Sequence, residues 1–113
     1  MDKFGLKEKV IYGIQEVVSR FPSIQECILY GSRAMGTHRH NSDIDLTLVG
    51  REITFSELLK IENELDDLLL PYQIDLSIFH KIENADLVDH INRVGKTFYK
   101  KSQITKGFDH LES

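Results

Sequence analysis

The chain has 113 residues, with 14 Lys and Arg against 18 Asp and Glu, for a formal net charge of −4 with His neutral. A hydrophobic fraction of 41% and a charged fraction of 28% are those of an ordinary globule, and the length suits one domain with one core. Collagen-like, disulfide-stapled, membrane-spanning and disordered classes are excluded, and without a basic surplus no direct grip on nucleic acid is expected.

The opening MDKFGLKEKV lacks the apolar run that secretion needs, and Cys27, the single cysteine, cannot form an internal disulfide, so a reducing cytoplasm is the expected location. Leu6, Val10, Ile11, Ile14, Val17, Val18 and Phe21 recur at helical spacing. They predict an amphipathic helix from about residue 3 to 20, ended by Phe21-Pro22-Ser23. Glu26 to Tyr30 reads as a short apolar strand cut off by Gly31; Ser32 to Met35 has room for one helical turn, and Thr37 to Ser42 is a polar loop. Asp43 to Val49 alternates strictly, with Ile44, Leu46 and Leu48 on one face and Asp43, Asp45, Thr47 and Val49 on the other.

Thr54-Phe55-Ser56-Glu57 matches a capping box. Phe55, Leu58, Leu59, Leu65, Leu68 and Leu69 then fit a helix that stops before Pro71. Gln73 to Phe79 is a second alternating strand, Asn84 caps a helix through Val94 closed by Gly95, and Lys96 to Tyr99 is a short extended piece. A polar tail occupies 100–113. With no repeats, low-complexity stretches or linkers, residues 1–99 read as a single α/β (α+β) domain.

The chemistry is concentrated between residues 31 and 46. Gly31-Ser32 follows a strand and opens a helical turn, where backbone N–H groups, a glycine that permits close approach and a hydroxyl together suit phosphate oxygens. By itself this pair is equally an ordinary turn with Ser32 as N-cap. Asp43 and Asp45 project from one strand face about 7 Å apart. Their like charges call for a hard cation between them, although two solvated aspartates would give the same pattern. Asp75 lies on the polar face of the later strand. Three carboxylates on two strands suit a pair of metal ions and in-line attack at phosphorus.

The combination is far more specific than its parts. Gly31-Ser32-Arg33-Ala34-Met35-Gly36, a polar loop, then Ser42-Asp43-Ile44-Asp45-Leu46 and a later strand aspartate, Asp75, resemble the signature of the DNA polymerase beta-like nucleotidyltransferases, and most nearly the minimal nucleotidyltransferase (MNT) family. The resemblance runs from the first helix to the Asp75 strand. It departs at Met35, where many relatives carry Arg, so no phosphate contact is assigned there. It implies a nucleotidyltransferase fold with a mixed sheet packed with helices. Gly31 and Ser32 are then expected to hold nucleotide phosphates, with Arg33 as a further phosphate or acceptor contact. Asp43 and Asp45 are expected to ligate Mg²⁺ or Mn²⁺, and Asp75 to complete the metal site and help deprotonate the attacking hydroxyl.

If phosphate and metal are to meet, the end of the Tyr30 strand must adjoin the start of the Asp43 strand, so these two should be antiparallel. The Asp43 and Asp75 strands should run parallel, with residues 55 to 69 as the crossover helix. Other residues are read as structural. His38 and His40 are solvated loop histidines without the further ligands that zinc needs. Cys27 is core. Tyr30 either lines the pocket or packs. Glu62, Glu64, Asp66 and Asp67 form a solvated helix face, and Lys96, Lys100, Lys101 and Lys106 make a mildly basic end.

The resulting expectation is transfer of AMP from ATP to a hydroxyl. The chain has no room for an acceptor-binding domain, and the resemblance supplies a partner: a HEPN-type helical protein, with the MNT member as antitoxin. A competing class is a non-catalytic binding module that neutralises such a partner by contact. A third, an aminoglycoside-type transferase, usually has a further helical domain. The oligomeric state is left open, and no membrane association is expected.

Overall fold

The strand register is what builds the site. The computed structural model describes residues 3–101. Its elements are α1 (Glu8–Ser19), β1 (Glu26–Tyr30), α2 (Gly31–Met35), β2 (Ile44–Val49), α3 (Phe55–Asp66), β3 (Ile74–Ile78), a 3-10 turn at Phe79–Lys81, α4 (Ala85–Val94) and β4 (Lys96–Lys100). The sheet order is β3-β2-β1-β4. β1 runs antiparallel to β2, placing Tyr30 opposite Asp45. β2 runs parallel to β3, placing Asp45 opposite Asp75. Both orientations are those the motif requires, and α3 is the crossover.

Alternation gives the sheet two unlike faces. Cys27, Leu29, Ile44, Leu46, Leu48, Leu76, Ile78 and Phe98 are buried with Val10, Ile11, Ile14, Val17 and Val18 of α1 and Ile61 and Leu65 of α3. Burial pushes the Cys27 thiol pKa up, so it stays a neutral core group. α4 packs against β1 and α2. Its junction to β4 is tight, since a Cβ on Gly95 would lie 2.7 Å from Ile28 Cγ2 and 2.4 Å from the Ile91 carbonyl oxygen. Gly95 therefore ends α4 through close approach, its φ being an unexceptional −59°.

Local signals place the helix starts. Thr54 and Glu57 form the complete capping box, and Asn84 Oδ1 accepts from the backbone N–H groups of Asp86 and Leu87. β2 and β3 are each trimmed at their ends, to Ile44–Val49 and Ile74–Ile78, and three boundaries differ more from expectation. α1 begins at Glu8, because Phe4 and Gly5, with φ of 60° and 74°, turn the chain so that Lys3 and Leu6 exchange backbone hydrogen bonds of 2.9 Å. This small hairpin sets Phe4 against Phe98, with ring centroids 6.1 Å apart. α3 ends at Asp66, and Leu69, with φ 54°, turns the chain toward Pro71. The extended piece after Gly95 is a full strand: β4 pairs antiparallel with β1 as far as Lys100 opposite Glu26. The Lys101 amide then donates to the Gln25 carbonyl at 2.8 Å, carrying the paired chain past residue 99. The remaining tail, including Lys106, lies outside the described residues. Among those residues no helix is long and apolar enough to cross a membrane.

Candidate active site

The site forms where the C-terminal end of β1 meets the N-terminal ends of β2 and β3. Tyr30, the last residue of β1, is extended, and Gly31 then takes φ +75° to open the five-residue α2. Only glycine fits there on two counts. The left-handed φ costs other residues about 1–2 kcal/mol, and a Cβ would lie 2.3 Å from Asp45 Oδ2. The turn thus presses its bare backbone against the Asp45 carboxylate. Gly36, with φ +78°, ends α2 as a left-handed C-cap.

Asp45 is half-buried and Asp75 exposed, facing each other across the parallel pair. Burial raises the Asp45 pKa, and the charges of Asp75 and then Asp43 raise it further; the Arg33 charge pulls the other way. Asp43, exposed just before β2, therefore contributes its field to the pair. The structure brings Gly31, Asp45 and Asp75 together, with Ser32 beside Gly31 and Asp43 at the margin. Among the described residues no three acidic, histidine or cysteine groups converge into a ready-made cage. The donor set nevertheless fits magnesium. That ion is usually held by one or two carboxylates plus substrate phosphate oxygens, which is what two adjacent carboxylates beside a phosphate-suited turn offer.

Arg33 is placed differently from the phosphate contact expected of it. It is only 2% exposed. Its Nε and Nη2 donate to the Ser42 carbonyl at 3.2 and 2.8 Å, Nη2 also to the His40 carbonyl at 3.3 Å, and Nη1 to the Phe4 carbonyl at 2.9 Å. The guanidinium also sits 5.0 Å from the Tyr72 ring centroid. With its nitrogens committed to carbonyls, Arg33 ties the N-terminal hairpin to the polar loop and sets where Asp43 and β2 begin. It acts on Asp45 only through its charge. His38 also departs from the solvated reading. It is half-buried against Gly5, and its Nδ1 is buried without a hydrogen-bond partner among the described residues, whereas His40 is exposed. Met35, at the end of α2, is exposed.

Sequence pattern leaves the role of Tyr30 open and passes over His90. Tyr30 is almost fully buried. Burial raises its hydroxyl pKa, Asp75 and Asp45 add to the effect and Ser77 opposes it, so it stays neutral beside the carboxylates. Ser77 donates to Thr47 Oγ1 at 2.8 Å, fastening the next rung of the β2–β3 pair. His90, from α4, accepts the Gly31 backbone N–H at Nε2, 3.1 Å away. It meets the Tyr30 ring edge-on, at 6.1 Å between centroids and 80° between planes. Their only early signs are adjacency to Gly31 for Tyr30 and a place on the last helix for His90.

The fold and motif have known counterparts. No curated protein matches the sequence significantly. The structure is similar to a toxin–antitoxin chain crystallised with AMP-PNP, at a TM-score of 0.65 and 22% identity over 95% of this chain and 90% of that one. It is also similar to a chain of the MntA-HepT toxin–antitoxin, at a TM-score of 0.63 and 17% identity over 94% and 90%. A third similar chain comes from a tri-AMPylated Shewanella oneidensis HEPN toxin in complex with MNT antitoxin, at a TM-score of 0.61 and 16% identity over 89% and 77%. At these identities the likeness is one of fold, and it agrees with the MNT resemblance of the sequence. The family model described as Polymerase beta, Nucleotidyltransferase matches residues 13–104. With that match spanning most of the chain, and with the motif glycine and two of its aspartates gathered at one end of a mixed sheet, the chain belongs to the polymerase beta nucleotidyltransferase family.

Proposed function

We propose that this protein transfers AMP from ATP to a hydroxyl on a HEPN-type helical partner, and that it acts as the antitoxin of such a pair. The observation that carries the reading is the juxtaposition of Asp45 and Asp75 on adjacent parallel strands beside the bare backbone of Gly31. The solved structures of similar fold, described as toxin–antitoxin complexes and in one case with an AMPylated HEPN toxin, support the choice of partner and of adenylyl transfer.

In this mechanism Asp45 and Asp43 would hold Mg²⁺ or Mn²⁺, with Asp75 completing the set. The ion would supply Lewis-acid stabilisation of charge on the phosphate oxygens. The turn at Gly31 and Ser32 receives the β and γ phosphates. Gly31 contributes close approach, since its own N–H is given to His90, and Ser32 contributes its hydroxyl. Asp75, the exposed member of the pair, accepts the proton of the attacking hydroxyl. The acceptor oxygen bonds to the α phosphorus while the bond from that phosphorus to the bridging oxygen breaks, and pyrophosphate leaves. A shelf this open requires the partner itself to exclude water and position the hydroxyl.

The test is co-expression with a HEPN-type helical protein, followed by intact mass spectrometry of that partner. A gain of one or more AMP units, lost with Asp43→Asn or Asp45→Asn, is expected. A stable complex that neutralises the partner without any mass gain, and survives loss of all three aspartates, would make the chain a non-catalytic binding module. ATP binding that is equal in EDTA and in Mg²⁺ would remove the metal from the mechanism.

A further inference from the structure

We propose that His90 is a positioning residue for the nucleotide-binding turn, the point through which α4 sets the shape of the site. This rests on the functional reading above and adds to it a residue outside the family motif. The first N–H groups of a helix have no partner within it and are ordinarily met by water, a cap or a ligand. At Gly31 that partner is instead an imidazole from an element 59 residues further along the chain. An Nε2 that accepts an N–H carries no proton, so the ring proton is on Nδ1 and the tautomer is defined by the contact itself. The ring is held in place by the edge of Tyr30 at 6.1 Å, and α4 is seated by the buried Ile91 and by Gly95 against Ile28.

Two features make this bond more than a helix-docking contact. It ends on a residue whose backbone presses directly on the Asp45 carboxylate. It orients the peptide between Tyr30 and Gly31, so a shift in the imidazole moves the turn and the carboxylate together. His90 thus supports the first-contact residues from behind, as outer hydrogen-bonding partners do at metal sites, where their loss typically costs about 10–100-fold in metal affinity or activity.

The experiment compares wild type, His90→Ala, His90→Gln and Ile91→Val by calorimetric titration with Mg·ATP, with thermal melting of each. His90→Ala is expected to weaken Mg·ATP binding by roughly tenfold. His90→Gln, whose side-chain carbonyl can accept the same N–H, should recover most of that loss. Ile91→Val loosens the packing of α4 without touching the bond and should bind as wild type does. In ligand-free ¹⁵N-labelled protein, the Gly31 amide resonance should shift in His90→Ala and return toward its wild-type position in His90→Gln. Unchanged affinity in a folded His90→Ala variant overturns the proposal, as does His90→Gln binding no better than His90→Ala. A weakening in Ile91→Val equal to that in His90→Ala would reduce His90 to helix packing. If wild type itself shows no Mg²⁺-dependent ATP binding, the functional reading fails first, and the role of His90 in it falls too.

Discussion

Asp45→Asn should make the metal-free protein more stable while abolishing its metal-dependent chemistry. Burial, Asp75 and Asp43 raise the Asp45 pKa above its ordinary 3.8. An acid whose folded pKa is raised holds its proton more tightly in the folded state than in the unfolded chain. Ionising it therefore costs stability, fully so above the raised folded pKa and not at all below 3.8. Neighbouring strands lie about 4.8 Å apart. At that separation two unit charges repel by roughly 1 kcal/mol in water and about 3.5 kcal/mol at an effective dielectric of 20. Asp75 is exposed, which places the Asp45–Asp75 repulsion near the lower limit, about 1 kcal/mol. In a domain of this size that is an upward shift of roughly 4 °C in melting temperature. The assay is thermal melting of wild type and Asp45→Asn in EDTA across a pH series. The variant should melt higher near neutral pH, and the gap should close as the pH falls toward 3.8. With Mg²⁺ and ATP the order should reverse, since only wild type gains from binding. A variant that melts at or below wild type at neutral pH in EDTA would refute the account of an uncompensated carboxylate pair.

Asp75→Asn should bind Mg·ATP nearly as wild type does but transfer about 10²–10⁴-fold more slowly, equivalent to roughly 3–5.5 kcal/mol of barrier, as read by partner mass gain over time. Gly31→Ala forces a side chain onto φ +75° and against Asp45 Oδ2. It should lower the melting temperature and lose metal-dependent ATP binding in calorimetry, both together. Arg33→Lys removes the fork that serves the Ser42, His40 and Phe4 carbonyls and supplies only a point charge. It should cost about 2–3 kcal/mol in denaturant melts and leave Mg·ATP affinity at low temperature little changed. A large loss of affinity in a fully folded Arg33→Lys would restore Arg33 as a phosphate contact.

How much of this was legible beforehand follows from the range over which each signal acts. Periodicity and capping are local, so the Thr54–Glu57 box, the Asn84 cap and the alternating strands could be read from a few residues each, and the motif spacing was enough to demand β1 antiparallel to β2 and β2 parallel to β3. The start of α1 departs from the pattern because the apolar spacing continues through Phe4 and Leu6, while the left-handed turn at Phe4 and Gly5 is stabilised by Phe98 and by Arg33, both distant in sequence. β4 was only a short extended piece until β1 supplied its pairing partner. Arg33 reads as a phosphate ligand beside Gly31-Ser32. Its burial, and the carbonyls that claim its donors, exist only once the hairpin and the 37–42 loop close around it. His90 carries no mark in its own segment, because an imidazole on the last helix acquires its role only when α4 crosses β1 and meets the Gly31 amide. By itself, then, the sequence determined which carboxylates and which glycine make up the candidate site. The tertiary structure alone decided which residues hold them in place, because the supporting hydrogen bonds join elements whose separation along the chain leaves no pattern to read.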